Sequence, residues 1–172
     1  MMRLAPSAVS AILMLIAVAF DQRASMSVAF GSTSRLVYVL SAAIVGGLIL
    51  LRYPRHAVGW IFTLVALAAA TNSVASDYAR SRFATGDPLA VPLGWFASWS
   101  WFAEIALLVI ALPLLFPGGR PVSPRWWAVG WAGAAAVVLL SLHAAIAPGP
   151  LEMLPAIDNP YAVDAPEIVL LA

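Results

Sequence analysis

The most constraining feature of this sequence is one long apolar stretch with well-marked ends, Val91–Trp127. Three tryptophans lie near its beginning, and Glu104 is the only charged residue before Phe116. About 25 residues, 92–116, rise about 1.5 Å each as a helix, which is enough to cross a hydrocarbon core about 30 Å thick. Tryptophan favours the membrane–water boundary, and a Pro-Gly-Gly-Arg turn closes the other end. The stretch predicts a membrane-spanning helix followed by a short charged hairpin.

The composition of the whole chain supports the same class. Of its 172 residues, 63% are hydrophobic and 10% are charged, whereas soluble domains carry about 25% charged residues. So few charges cannot cover the surface of a soluble protein of this size, and the lipid bilayer is therefore an expected partner. Continuous apolar runs satisfy their backbone hydrogen bonds in lipid as helices. We predict an all-α, multi-pass transmembrane helix bundle.

The apolar runs predict five complete spans plus the start of a sixth, in a single transmembrane domain that covers residues 1–172. The approximate spans are 4–20, 36–51, 57–75, 92–116 and 126–147, with a partial span from 167. The stretches 21–35 and 76–90 are expected to be loops, and 148–166 an extended polar loop. We expect the sequence to be the N-terminal part of a longer chain. The alternative is a frayed tail of a complete small protein, and cleavage of the first span as a signal peptide stays open.

The arginines predict the orientation of the bundle. Arg52 and Arg55 lie in one short loop, and Arg120 and Arg125 lie in another. Because short cytoplasmic loops carry an excess of basic residues, we expect these loops and Arg3 on the cytoplasmic side, which places the N-terminus inside.

Glu104 is the one carboxylate within a predicted span, and it is the first candidate for function. A charge at mid-membrane costs at least about 2.5–3.5 kcal/mol, so such residues are retained for a reason. Asn72 and His143 lie towards the same outer side of the membrane in the predicted topology. A polar cluster of Asn72, Glu104 and His143 could bind a ligand or respond to protons. In the alternative interpretation, each side chain only packs or bonds inside the bundle, and the charge state of Glu104 stays open.

Two further sets of residues bear on packing. Small-residue pairs spaced four apart allow helices to approach closely; they are Ala42/Gly46, Ala43/Gly47 and Gly130/Ala134. The tryptophans are predicted to form belts at the two membrane boundaries; they are Trp60, Trp95, Trp99, Trp101, Trp126, Trp127 and Trp131.

No catalytic motif is present in these residues. There is no nucleophile elbow, no phosphate-binding Walker loop and no metal-ligand spacing, and Gly118-Gly119-Arg120 follows no strand and is predicted to be a turn. The chain has no cysteine, and its formal net charge of +1 gives no basic stripe for nucleic acid. We therefore expect no cofactor, no metal, no nucleic-acid partner and no enzyme activity in this part of the chain.

Two short motifs lie at the predicted loops. The first is Arg52–Trp60, which reads RYPRHAVGW, and the second is Leu115–Arg120, which reads LFPGGR, followed by Ser123–Trp126, SPRW. These motifs resemble the multi-pass N-terminal membrane region of actinobacterial-type sensor histidine kinases. In the second motif Gly118 stands where the family has an acid. The pair Asn159-Pro160 matches the Asn-Pro pair that precedes the family's last span.

This resemblance implies a membrane-embedded input and anchoring module in a bacterial plasma membrane. It implies a homodimer, a two-component signalling role, and a kinase domain outside these residues through which a response regulator would be reached. His143 would not be the phosphoacceptor, which is cytoplasmic in the family. The alternatives are a small transporter or channel subunit with Glu104 as an ion site, and a structural membrane protein without a signalling role.

Overall fold

The computed structural model describes residues 26–163, with side chains from residue 34 onward. The described chain is helical and contains no β-strand; its helices are α1 (Met26–Arg52), α2 (Ala57–Arg82), α3 (Ala90–Ile105), α4 (Leu112–Leu115) and α5 (Trp126–Ile146). A 3-10 turn, Phe83–Thr85, follows α2. A π-helical segment, Ala106–Ala111, joins α3 to α4 in one rod.

Four stretches in the described residues are long and apolar enough to cross a membrane; they are Ser34–Arg52, Ala57–Thr85, Ala90–Leu115 and Trp126–Ile146. They confirm the all-α class. Five complete spans are not shown. The predicted first span, 4–20, and the partial span from 167 lie outside the described residues and stay predictions.

Two predicted loops are wrong because helix continues into them. Helix α1 already begins at Met26, and α2 runs through Arg82 although its sequence turns polar near residue 71. Ser76 shows how the polar part is accommodated. It is fully buried, and its hydroxyl donates to carbonyl oxygens of the preceding turn at 2.7 and 3.1 Å, so its polar group is satisfied within the helix. Hydrophobic packing then extends α2, since Ala79 is buried beside it.

The core of the described bundle lies between α1 and α2, which approach very closely. A Cβ added at Gly46 would lie 2.6 Å from Oγ1 and 2.8 Å from the backbone nitrogen of Thr63. Gly59, on α2, is equally crowded by Leu50 at 2.9 Å. Small residues therefore let the two backbones meet, as the Ala42/Gly46 spacing predicts. Buried apolar residues of both helices surround this contact, and they include Val39, Ala42, Ala43, Ile61, Val65 and Ala66.

The helix type changes within the rod: α3 is followed by the wider π-helical turns and then by α4. Pro113 has no backbone N–H and cannot donate to the carbonyl one turn earlier. The wider turns of Ala106–Ala111 immediately precede it, and π-helical insertions are a common way to bend a helix without ending it. Glu104 stands two residues before this segment.

The stretch after α5, residues 148–163, folds back over one end of the bundle, and we call it the cap. Leu151 and Leu154 are only 4% and 5% exposed and pack against Ala79, Phe83 and Trp95. A single bridge between Pro150 and Asp158 closes the cap on itself. The described part of this stretch is a loop, as predicted, but it is folded onto the bundle and is not extended. The apolar residues scattered among its prolines and acids supply a small core of their own.

Candidate functional site

Glu104 is joined to α1 by a hydrogen bond. The hydroxyl of Tyr38 donates to Oε1 of Glu104 at 2.5 Å, a distance typical of a strong hydroxyl–carboxylate bond. The guanidinium of Arg35, one turn before Tyr38, acts electrostatically on the same carboxyl. The sequence analysis missed Tyr38. No spacing in the sequence indicates this contact, because tyrosine is common at membrane boundaries.

Asn72 joins α2 to the same face of α3. Its amide Nδ2 donates to the carbonyl oxygen of Ala97 at 2.8 Å and to the hydroxyl of Ser100 at 2.8 Å. Ser100 stands one turn before Glu104, so the two contacts lie in line along α3. Together Tyr38, Asn72, Ser100 and Glu104 form what we call the polar seam, which connects three helices.

His143 does not belong to this seam. It is exposed on α5 and makes no hydrogen bond or ion pair within the described residues. Helix α5 contacts α3 through the side that carries Ala145, and at about 100° per residue His143 points roughly the opposite way. The structure thus brings Asn72 and Glu104 to one face of α3 and leaves the third predicted member outside.

A second polar contact links α3, α5 and the cap, and we call it the latch. Trp95 Nε1 donates to the carbonyl oxygen of Ala145 at 2.7 Å, and Nδ2 of the buried Asn159 donates to the same oxygen at 2.9 Å. Asn159 also donates to the carbonyl of Ala147 at 3.0 Å. The last carbonyls of a helix lack intrahelical donors. The latch supplies donors for two of them and holds the end of α5.

Trp95 packs against the cap at one end of the bundle. Its ring lies 4.7 Å from that of Tyr161 in the cap, and it packs against Leu151 and Leu154. One helical turn away, Ser98 accepts a hydrogen bond from the backbone of Met153 at 3.2 Å. The tryptophan belts stay a prediction. Several other tryptophans are exposed: Trp60, Trp101, Trp126, Trp127 and Trp131.

The geometry defines what this site can do. No group of three or more His, Cys, Asp or Glu side chains that could hold a metal is found among residues 26–163. The seam joins helices by hydrogen bonds, and the latch joins two helices and the cap.

Fold and site together define the class: a helical bundle with four stretches long and apolar enough to cross a membrane, joined by polar contacts between helices. No protein-family model matches the chain, and no curated protein or solved structure is significantly similar to it.

Proposed function

We propose that the chain is the membrane-embedded input and anchoring module of a two-component sensor histidine kinase. It relays a stimulus to a cytoplasmic kinase domain outside these residues, and a response regulator is reached only through that domain. Its membrane is the bacterial plasma membrane, and it works as a homodimer. The loop motifs Arg52–Trp60 and Leu115–Arg120 support this proposal by their resemblance to that family.

The observation that carries the proposal is the latch. Trp95 from α3 and Asn159 from the cap both bond to the carbonyl of Ala145, at the end of α5. Asn159 stands shortly before the predicted sixth span, so a change at the cap can alter α3, α5 and that span together. A stimulus that binds the cap more tightly in one helix arrangement than in another shifts the population between them.

The proposal includes an orientation in which both arginine-bearing hairpins lie on the cytoplasmic side. The first hairpin, residues 52–56, joins α1 to α2, and the second hairpin, residues 116–125, joins α4 to α5. Both hairpins line one cavity and so lie at the same end of the bundle, and short basic loops favour the cytoplasm. The chain has no cysteine, so single-cysteine variants can be labelled without background. In intact cells an impermeant maleimide should label Glu152→Cys in the cap and should label Ser123→Cys only after lysis. The reverse pattern would refute the orientation.

The signalling role is tested on the full gene product. The reading frame beyond Ala172 should encode a kinase domain, and membranes should incorporate labelled phosphate from ATP. Asn159→Ala should change the rate of autophosphorylation several-fold, because it removes the two side-chain hydrogen bonds from the cap to the end of α5. The neighbouring exposed Asp158→Asn serves as the matched control. A stop codon directly after Ala172 would rule the role out.

One observation favours a second candidate, a transporter or channel subunit. Glu104 is a carboxylate inside a predicted span, two residues before a π-helical segment, and intramembrane carboxylates often carry protons or ions. This candidate predicts ion or proton flux in proteoliposomes that Glu104→Gln abolishes. The sensor proposal predicts no ion or proton flux for the wild type or for the Glu104→Gln variant. A structural role without signalling predicts neither flux nor phosphorylation.

A further inference from the structure

An open cavity of about 690 Å³ lies at the arginine end of the bundle, between the two hairpins. Its lining includes Arg52 and Arg55 from the first hairpin and Arg120 from the second. All three side chains are exposed, and none of them makes a hydrogen bond or ion pair within the described residues. No acidic residue lines the cavity. Three positive charges therefore surround one space without a counter-charge from this part of the chain.

The beginning of α2 adds backbone donors to the same space. His56 precedes the first helical residue, and no side chain caps this end. The first N–H groups of a helix have no intrahelical acceptor, and a helix N-terminus attracts anions. Gly119 of the second hairpin lies beside it, since a Cβ there would be 3.5 Å from the nitrogen of Ala57. The second hairpin thus closes one side of the space and leaves room for a ligand.

His56 also lines the cavity, but its ring nitrogen Nδ1 is buried without a hydrogen-bond partner in the described structure and is shielded from the open space. It therefore offers a ligand no hydrogen bond in this arrangement. The cavity presents the three arginines and the uncapped start of α2 to a ligand.

We propose that this cavity binds the phosphate group of an anionic membrane lipid. Arginine forks match phosphate oxygens in geometry and charge, and the backbone N–H groups of α2 point towards the same anion. The lipid is favoured over phosphate from solution because the cavity lies where α1 ends and α2 begins, at head-group depth. Trp60, exposed one turn into α2 and bonded to the carbonyl of Pro54, is typical of that depth.

This site is independent of the sensor role and of the orientation, since both leaflets carry phosphate. The sequence of neither hairpin alone predicts this anion site. Gly118-Gly119-Arg120 is a turn, as expected from the sequence, and becomes part of an anion site only where the first hairpin and the uncapped α2 meet it.

The test is native mass spectrometry of the full chain in an uncharged detergent. Phosphatidylglycerol should bind, and it should bind at least tenfold more tightly than zwitterionic phosphatidylcholine. The double variant Arg55→Gln/Arg120→Gln should weaken phosphatidylglycerol binding by roughly tenfold or more, since each arginine near a lipid surface contributes about a fivefold factor. Arg125→Gln is the matched control, because it lies at the same end but outside the cavity lining, and it should bind as the wild type does.

Three results would overturn the proposal. The first is equal affinity of all variants for phosphatidylglycerol. The second is equal affinity of the wild type for the two lipids. The third is displacement of the lipid by inorganic phosphate at matched concentration, which would make phosphate from solution the ligand. The substituted arginines are exposed, so the variants should fold.

Discussion

Tyr38 on α1 and Glu104 on α3 are joined by a hydrogen bond of 2.5 Å between residues 66 positions apart in the sequence. The bond links the helix before the first arginine hairpin to the rod before the second. It gives the intramembrane carboxylate a partner and makes the rotation of α1 depend on the rotation of α3. The predictions below concern this bond and three other contacts of the described bundle.

The Tyr38–Glu104 bond should be visible as a coupling energy. Tyr38→Phe removes only the donor hydroxyl, and Glu104→Ala removes the acceptor. Combined in a double-mutant cycle, the two changes should show a coupling of about 1–2 kcal/mol in the free energy of unfolding in detergent. Tyr53→Phe, in the exposed first hairpin, is the matched control and should cost little. Additivity to within about 0.5 kcal/mol would show that the bond contributes nothing.

Asn72 should matter more for stability than its partner Ser100. Asn72→Leu removes both hydrogen bonds to α3 and leaves their acceptors without this donor, so it should lower the free energy of unfolding by about 1–3 kcal/mol. Ser100→Ala leaves the bond from Asn72 to the Ala97 carbonyl in place and should cost less than half as much. Chemical unfolding in mixed micelles measures both values. An equal loss for the two variants would contradict the geometry.

The close approach of α1 and α2 should tolerate no side chain at Gly46. Gly46→Ala places a Cβ where Thr63 Oγ1 and the Thr63 backbone stand, so the helices must separate, at a cost of about 1–3 kcal/mol. Gly118→Ala is the control, because a Cβ at Gly118 meets nothing within 4 Å. Thermal unfolding of the two variants in the same detergent compares them directly. A Gly46→Ala variant as stable as wild type would show that α1 and α2 do not pack this way.

Asp87 should make the stability of the chain depend on pH. The backbone N–H of Leu89 and the hydroxyl of Tyr78 both donate to its carboxylate at 2.9 Å, which holds the pKa of Asp87 below its ordinary value. A lowered folded-state pKa adds stability that is complete above the unfolded-state pKa of about 3.9 and is lost as the pH falls through the folded-state value. Melting temperatures between about pH 6 and about pH 3 should therefore fall less in Asp87→Asn than in wild type.

The exposed Glu152, which makes no hydrogen bond to the part of the chain that the structure describes, provides the control for this pH effect. Glu152→Gln should keep the wild-type pH dependence. If Asp87→Asn and wild type lose stability equally over the same range, Asp87 is not responsible.

The prediction of helices was right where the apolar runs were long and wrong where polar residues stayed helical. Helix α5 begins at Trp126 as predicted, because an apolar run between a proline turn and a proline loop leaves few alternatives. Helix α2 continues past Ala75 because Ser76 and Ala79 are buried, Ala79 against residues of the cap. Burial by a segment distant in the chain leaves no periodic pattern in the local sequence.

Some residues of the candidate site could be found from the sequence, and others could be found only from the structure. Glu104 and Asn72 were found from the sequence, because a polar side chain in an apolar run is visible by itself. Tyr38 and Trp95 were not found, because tyrosine and tryptophan are ordinary at membrane boundaries and only their partners, Glu104 and Ala145, give them a different role. Nothing in the sequence separates His143 from the seam, since its exclusion depends on the rotation of α5.

The amino-acid order alone required helices, because long apolar runs in a bilayer can satisfy their backbone hydrogen bonds in no other simple way. The sequence also predicted the arginine-bearing turns that separate these helices. The pairing of Tyr38 with Glu104, the latch on Ala145 and the cavity between the hairpins were decided by how the helices cross and rotate. Those angles depend on contacts between residues far apart in the chain, such as Gly46 with Thr63, and a one-dimensional pattern does not contain them.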